Sequence, residues 1–377
     1  MIRTGGATGP FVVAIEASHL VHDLRGIGRY VRALLPRFIA MRDGLRLILF
    51  VRGERDGEPI RTILRELGVP ADRAEVRLRR DIGNTSADVF WYPWNIAIPA
   101  PERGVVVATI HDVAPLALPD PRWWKLLKNL RWRRRYRATV DRATLVITDS
   151  AFSATEIGRT LGFPLDRIRV TPLAADDGAI PDAARDAAAM QRLGVRSPFF
   201  LVVGAADRRK NIGLVERAMP RIVDAFPEAR LVLAGPRRRQ SADEPSWRQT
   251  LGFVSDDDLV SLYRSARALI APSSYEGFGL PVLEALRLGT PVISARAASL
   301  PEVAGDGALY VGVQDDEALA TAAKRLLGDD ALHASLREAG LAHSSRFSWD
   351  ETARQTLAAF EEAAAMERGA PAESAAR

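Results

Sequence analysis

Two kinds of hydrophobic pattern alternate along this chain. Short runs rich in β-branched and aromatic residues occupy residues 11–15 (FVVAI), 45–51, 88–92 (DVFWY), 105–110 (VVVATI) and 145–148. Between them, over residues 29–40 and 61–67, apolar positions recur at the three-to-four spacing of an amphipathic helix. The run at 105–110 looks like a parallel strand buried on both faces. Around residues 173–195 the pattern lapses into Ala, Asp, Gly and Pro, which suggests a connection between domains. A second series then begins at 199–203 (FFLVV) and continues through 229–234, 268–271, 291–294 and 308–311. Helical stretches at 213–226, 256–266 (with Ser255 as N-cap) and 282–288 separate these runs, and an alanine-rich helix closes the series at 350–366. Strand–helix alternation of this kind predicts an α/β chain of two Rossmann-like, doubly wound domains facing a central cleft. Such sheets bind ligands beyond the carboxyl ends of their strands. The expected division is 1–175 and 176–348, with 349–366 a candidate helix to pack back on the first domain and 367–377 a flexible tail.

At 377 residues, 47% hydrophobic and 26% charged, the composition is that of a soluble globular protein with room for two cores. No apolar run approaches the roughly 18 residues needed to span a bilayer. The first twenty residues lack a basic start followed by a long apolar stretch, so secretion is not expected. The absence of cysteine excludes disulfides and thiolate chemistry and fits a reducing cytoplasm. Five histidines, none at ligand spacing, point to no metal site, and Asp256, Asp257 and Asp258 are read as helix-start acids favoured by the dipole.

The net charge of +5 calls for an acidic partner. Between Arg122 and Arg142 stand nine Lys/Arg against one Asp, interleaved with Trp123, Trp124, Trp132 and Tyr136. On a helix Trp123, Leu126, Leu127 and Leu130 share one face, and a basic amphipathic helix carrying Trp suits an anionic membrane surface. A solvated charged face over a core stripe is the plainer alternative. Nucleic-acid stacking is a third, unsupported by any accompanying nucleic-acid module.

The most specific segment is Glu276-Gly277-Phe278-Gly279-Leu280-Pro281-Val282-Leu283-Glu284. Pro281 suits the first turn of a helix. Glu276 therefore falls on the loop and Glu284 within the helix, with the amides of Gly277, Phe278, Gly279 and Leu280 at a helix N-terminus able to meet an anion. Carboxylates accept from sugar hydroxyls, so the segment offers both halves of a nucleotide-sugar site. Arg209 and Lys210 follow the strand 199–203 in a loop, 204–211, suited to neutralising a diphosphate. That loop contains neither a dinucleotide fingerprint nor a P-loop. His111 sits directly after the strand 105–110, where an imidazole can donate to a hydroxyl or to phosphate charge, and Asp112 is placed to orient its loop. Gly28, in Gly26-Ile27-Gly28-Arg29-Tyr30, permits close backbone approach to a ligand or simply a tight turn. Ser150 and Ser153 are read as helix-capping residues.

The run A-P-S-S-Y-E-G-F-G-L-P at 271–281, followed by Glu284-Ala285, G-T-P-V at 289–292 and L-P-E-V at 300–303, resembles the family 4 retaining glycosyltransferases. The resemblance extends from about Gly26 to Trp349 and implies the GT-B fold, with an acceptor-binding first domain and a nucleotide-sugar-binding second domain. It implies catalytic roles for His111 and Glu276, donor contacts from Arg209, Lys210 and residues 277–280, and ribose binding by Glu284. The donor it implies is a nucleotide diphosphate sugar, GDP-mannose first and UDP-sugars next, with no cofactor. G-I-G-R-Y, H-D-V-A-P and F-S-W are most similar to the mannosyltransferase-like branch that builds bacterial surface polysaccharide such as O-antigen. The expected reaction is hexosyl transfer to a hydroxyl of a glycan, lipid-linked, by an enzyme peripheral to the cytoplasmic face of the plasma membrane. A nucleotide-sugar epimerase and a non-catalytic membrane scaffold with a vestigial pocket are the alternatives.

Overall fold

The computed structural model describes residues 10–23, 26–101, 103–119, 122, 125–176, 182–204, 207–235 and 244–369. Trp123 and Trp124 of the basic segment, Ala205 and Ala206 of the basic loop, and 370–377 of the expected tail lie outside them. The chain divides into two units: one runs to Leu173 and resumes at Trp349, the other is Ala174–Ser348.

The first unit holds β1 (Phe11–Glu16), β2 (Leu45–Val51), β3 (Ala74–Leu78), β4 (Val89–Tyr92), β5 (Val106–Thr109), β6 (Leu145–Thr148) and β7 (Ile168–Val170). All pairings are parallel, in the order β3-β2-β1-β4-β5-β6-β7. The register sets Phe11 against Leu45 and Glu16 against Phe50 on one side of β1, and Val13 against Val89 on the other. The strand order therefore reverses between β1 and β4, the switch point where loops diverge and leave a crevice. Phe50, Phe90, Tyr92 and Val106 belong to one buried cluster with Ile157 and Leu161 of the helix Ala151–Leu161. The helix Trp349–Gly369 is part of this unit. Its Phe360 ring lies 5.7 Å from Phe38 and 5.4 Å from Trp91, and Thr352 donates to the Pro172 carbonyl at 2.6 Å. The helix runs three residues beyond the expected end at 366.

The second unit repeats the topology with β8 (Phe199–Val203), β9 (Arg230–Ala234), β10 (Arg248–Gly252), β11 (Ala268–Ala271), β12 (Val292–Ala295) and β13 (Ala308–Val311). Its six strands, again parallel, run β10-β9-β8-β11-β12-β13, so the switch point falls between β8 and β11. Phe200, Leu231, Ile270 and Ile293 pack in one cluster with Leu214, Met219 and Ile222 of the helix Ile212–Val223. Ser255 caps the helix Asp256–Ser265 by accepting from the Asp258 amide at 3.1 Å, and Asp257 and Asp258 pair with Arg185 and Arg192.

Several elements go beyond the sequence expectation, among them three strands and one helix. The strands β3 (AEVRL), β7 (IRV) and β10 (RQTLG) all lie at sheet edges, where one side meets no neighbouring strand and an unbroken apolar run is unnecessary. The segment taken as a connection holds a helix, Ala183–Leu193. Its alanines are the best helix formers, and the Asp182 carboxylate accepts from the amides of Ala184 and Arg185 at 3.0 and 3.1 Å. Among the described residues no helix is long and apolar enough to cross a membrane.

Candidate active site

In the second unit, the residues singled out by sequence gather at the switch point. Past β8, Gly204 takes φ +82°, and a Cβ there would lie 3.4 Å from Lys210 Cε. A tight turn, Arg208–Lys210, follows. Asp207 starts it by accepting from the Arg209 amide and from Arg209 Nε, both at 3.1 Å. Asn211 closes it in the left-handed conformation, which a short polar side chain tolerates. The Asn211 Nδ2 donates to the carbonyls of Pro272 at 3.2 Å and Val313 at 2.8 Å. The Ser274 amide donates to the Arg209 carbonyl at 2.9 Å. The basic turn is thus tied to the loops after β11 and β13.

These ties bring Lys210 to the carboxylate predicted to approach the sugar. Lys210 Nζ lies 2.7 Å from Glu276 Oε1, and Arg209 Nη1 lies 3.8 Å from Glu276 Oε2. Glu276 is 7% exposed, so its charge sits where unpaired ionisation would be costly and Lys210 offsets it. Lys210, Glu276 and Gly279 share one small pocket beneath β8 and β11. The loop backbone is pinned by Ser299, whose hydroxyl donates to the carbonyls of Glu276 at 2.9 Å and Phe278 at 2.7 Å. Gly279, at φ +109°, opens the helix Leu280–Arg287, and Pro281 stands in its first turn. A Cβ at Gly279 would come within 3.0 Å of Leu300 Cδ2. Gly279 and Leu280 therefore lie where a helix leaves amides without intrahelical acceptors, and Gly277 and Phe278 form the loop just before it. Glu284, half-buried one turn later, accepts from the Tyr263 hydroxyl at 2.9 Å, which fixes its orientation. The arrangement supplies two cations, an oriented carboxylate and a helix start, the elements that bind and polarise a diphosphate-linked group.

His111 belongs to the first unit, two residues beyond β5. It is 8% exposed, and both ring nitrogens are engaged: Nδ1 lies 2.8 Å from Asp149 Oδ2 and Nε2 lies 3.0 Å from the Pro93 carbonyl. The Tyr30 ring meets its edge at 5.2 Å. Burial pulls the imidazole pKa down, but the Asp149 charge and the hydrogen bonds outweigh it and hold the pKa above its ordinary value. A carbonyl and an ionised carboxylate both accept, so a doubly protonated ring satisfies both. Asp112 accepts from the Ala114 amide at 2.9 Å, the loop-orienting role read from sequence. Gly28 is accounted for locally: a Cβ would lie 1.7 Å from the Asp23 carbonyl oxygen, and its amide meets Asp23 Oδ2 at 3.2 Å. Ser150 caps its helix by accepting from the Ser153 amide at 3.0 Å.

Comparison with known proteins shows the family. Residues 24–178 match the family described as Glycosyltransferase Family 4, and residues 188–343 match Glycosyl transferases group 1. The chain belongs to glycosyltransferase family 4. It is 32% identical over 267 residues to the O-antigen chain mannosyltransferase B of Escherichia coli, covering 67% of this chain and 69% of that protein. It is 27% identical over 288 residues to the serotype-specific mannosyltransferase WbdA of Escherichia coli, spanning 71% of this chain but only 35% of that longer protein. Anabaena HepE, solved in complex with UDP, shares the fold with a TM-score of 0.70 at 18% identity, over 94% of this chain and 100% of that one. The fold is GT-B and the protein is a glycosyltransferase.

Several residues that hold these candidate side chains in place escaped the sequence reading. Asp149 meets His111, Tyr263 meets Glu284, Ser299 pins the backbone of Glu276 and Asn211 closes the turn that carries Lys210, all from distant positions that no local spacing marks.

Proposed function

We propose that the enzyme transfers a hexosyl unit, preferentially mannosyl, from a nucleotide diphosphate sugar to a hydroxyl of a lipid-linked glycan, with retention at the anomeric carbon. GDP-mannose is the favoured donor and a UDP-sugar the second. The observation that carries the reading is the Lys210–Glu276 pair at 2.7 Å beside Arg209, at the switch point of the second sheet. Lys210 and Arg209 would receive the diphosphate and offset charge on the leaving nucleotide, while Glu276 meets the sugar and Glu284 the ribose. His111, held by Asp149, would offer its ring edge to the developing phosphate charge only by exchanging the Pro93 contact. Gly28 serves by shaping the loop before the first helix. The mannosyltransferase names of the Escherichia coli relatives support the sugar and its place in O-antigen synthesis.

The anionic inner leaflet is the proposed working surface. In the helix Leu126–Arg142, Leu126, Leu127 and Leu130 are 57%, 80% and 52% exposed among basic neighbours, while the buried side is Tyr136, Thr139 and Val140. That apolar stripe faces outward instead of into the core, as an interfacial helix requires. Incubation with GDP-mannose or UDP-glucose, with and without a membrane extract containing lipid-linked saccharide, tests the reading. Acceptor-dependent nucleotide release and sugar incorporation support it. Nucleotide-sugar interconversion without incorporation supports the epimerase alternative.

A further inference from the structure

Two sequence motifs end in aromatic residues that the proposed donor site does not use. Tyr30 closes Gly26-Ile27-Gly28-Arg29-Tyr30, and Trp349 closes Phe347-Ser348-Trp349. In the first unit the two rings meet, with centroids 6.4 Å apart. Tyr30, on the helix Ile27–Met41, is buried between the Trp91 ring at 5.9 Å and the His111 ring at 5.2 Å. Beneath it lies a polar layer. The pairing of β5 with β6 sets Thr109 against Ile147, and that of β6 with β7 sets Thr148 against Val170. Both ladders continue past these pairs, since the Ile110 amide donates to the Ile147 carbonyl and the Thr171 amide to the Thr148 carbonyl, each at 2.8 Å. Side chains alternate faces along a strand, so Thr109, His111, Asp149 and Thr171 share one face at the carboxyl ends of three adjacent strands. Thr356 of the helix Trp349–Gly369 closes the layer, and all of these side chains are buried.

Some of the layer is satisfied. Thr109 accepts from the Trp91 indole at 2.9 Å, and Thr356 donates to the Thr352 carbonyl at 2.7 Å. Three oxygens are not, among the described residues: Tyr30 Oη, Thr171 Oγ1 and Asp149 Oδ1, the second oxygen of the carboxylate that holds His111. The hydroxyls of Thr109, Thr171 and Thr356 all act on the Tyr30 hydroxyl, yet none completes a hydrogen bond of ordinary geometry to it. A buried polar group left open is costly, and here three surround one carboxylate.

The donors and acceptors select the occupant. Tyr30 and Thr171 can each donate or accept, whereas an ionised carboxylate only accepts. An anion would meet the Asp149 charge, and a cation would stand beside a protonated imidazole. A small neutral group with two donors and two acceptors fits, and buried water makes about three hydrogen bonds to groups otherwise left open. We propose that one buried water bridges Asp149 Oδ1, Thr171 Oγ1 and Tyr30 Oη, and that Tyr30 and Thr171 are positioning residues that act through it to keep Asp149 ionised and His111 protonated. Burial pushes the Asp149 carboxyl up, toward taking the proton that His111 holds, and a donor on its open oxygen opposes that. The charged groups acting on His111 are Asp149 and Asp112; Tyr30 meets it from the first helix, and burial keeps that hydroxyl protonated. The inference goes beyond the transferase reading, because it needs the His111–Asp149 pair and no role for that pair in transfer.

A crystal structure of the full chain, at a resolution that shows ordered water, tests the site. Imidazole NMR titration of the wild type, Tyr30→Phe and Thr171→Val tests its effect. One ordered water should lie within about 3.2 Å of all three oxygens. In each variant the His111 pKa should fall by about one unit, tenfold in its protonation equilibrium, while the remaining histidines titrate as in the wild type. A merely structural role for the two hydroxyls would lower Tm and leave the His111 titration where it was. Density without a water among the three oxygens overturns the site, and an unchanged His111 titration in both variants overturns the positioning role. Should one variant fail to fold, the wild-type density and the other variant decide. Neither measurement involves a donor or an acceptor, so failure of sugar transfer would sink the transferase reading and leave this result standing.

Discussion

Lys210 Nζ and Glu276 Oε1 are 2.7 Å apart, although 66 positions separate the residues in sequence. The contact joins the loop after β8 to the loop after β11 across the switch point. Both cations are thereby compensated: Lys210 by Glu276, and Arg209 by Asp207 at 3.1 Å. In the proposed donor site an arriving diphosphate would compete with a carboxylate for Lys210, and the sugar it carries would then meet that carboxylate.

Glu276→Gln separates binding from chemistry. Removing the competing charge should leave affinity for a nucleoside diphosphate equal or tighter, while sugar transfer falls about a hundredfold or more. Calorimetry and steady-state rates on one preparation check this; a parallel loss of both would show that Glu276 holds the nucleotide itself.

Tyr263 donates to Glu284 Oε2 at 2.9 Å, and in the proposed donor site it would reach the ribose through that carboxylate. Tyr263→Phe should weaken binding of a ribose-bearing nucleotide by about 1 kcal/mol, several-fold, and leave inorganic pyrophosphate binding unchanged. Equal effects on both ligands would count against the ribose assignment.

The His111–Asp149 pair gives a signed pH dependence. The folded pKa of His111 is raised above its ordinary value of about 6.5, so its contribution is complete below that pH and is lost as pH rises through the folded value. Asp149→Asn should destabilise the first unit by about 3–5 kcal/mol and flatten that part of the pH profile. Urea unfolding across pH 5 to 9, on wild type and variant, checks it; parallel profiles would contradict the pairing.

Gly28→Ala places a Cβ 1.7 Å from the Asp23 carbonyl oxygen, whereas Gly279→Ala meets Leu300 at 3.0 Å from a backbone at φ +109°. Both should lower Tm, by about 1–3 kcal/mol or more in stability, with Gly28→Ala the larger. If Gly28→Ala melts like wild type yet loses nucleotide affinity, the glycine serves a ligand instead of the turn.

Much of this organisation was legible because parallel strands buried on both faces leave unbroken apolar runs. Ten of the thirteen strands among the described residues announce themselves that way, β1 and β8 most clearly, and two such series imply two sheets. The edge strands β3, β7 and β10 did not, since half of each strand's environment is solvent or loop. The helix Ala183–Leu193 was hidden by reading alanine and aspartate as connection, although Asp182 followed by alanines is also a capped helix. In the proposed donor site, local motifs named Arg209, Lys210, Glu276 and Glu284. They were silent about Asn211, Tyr263 and Ser299, which reach the site only through tertiary contacts. His111 shows the limit from the other side: its strand-end position was readable, but the closure of both ring nitrogens by Asp149 and Pro93 was not.

The most direct test of the donor site is calorimetric titration of the wild type and Lys210→Met with GDP, UDP and GDP-mannose. One nucleotide class should bind the wild type with a micromolar constant, and Lys210→Met should weaken it about tenfold or more, ~1.4 kcal/mol. No binding by any of the three, or equal binding by the variant, would contradict the assignment of Lys210 and Glu276 to the donor diphosphate and its sugar.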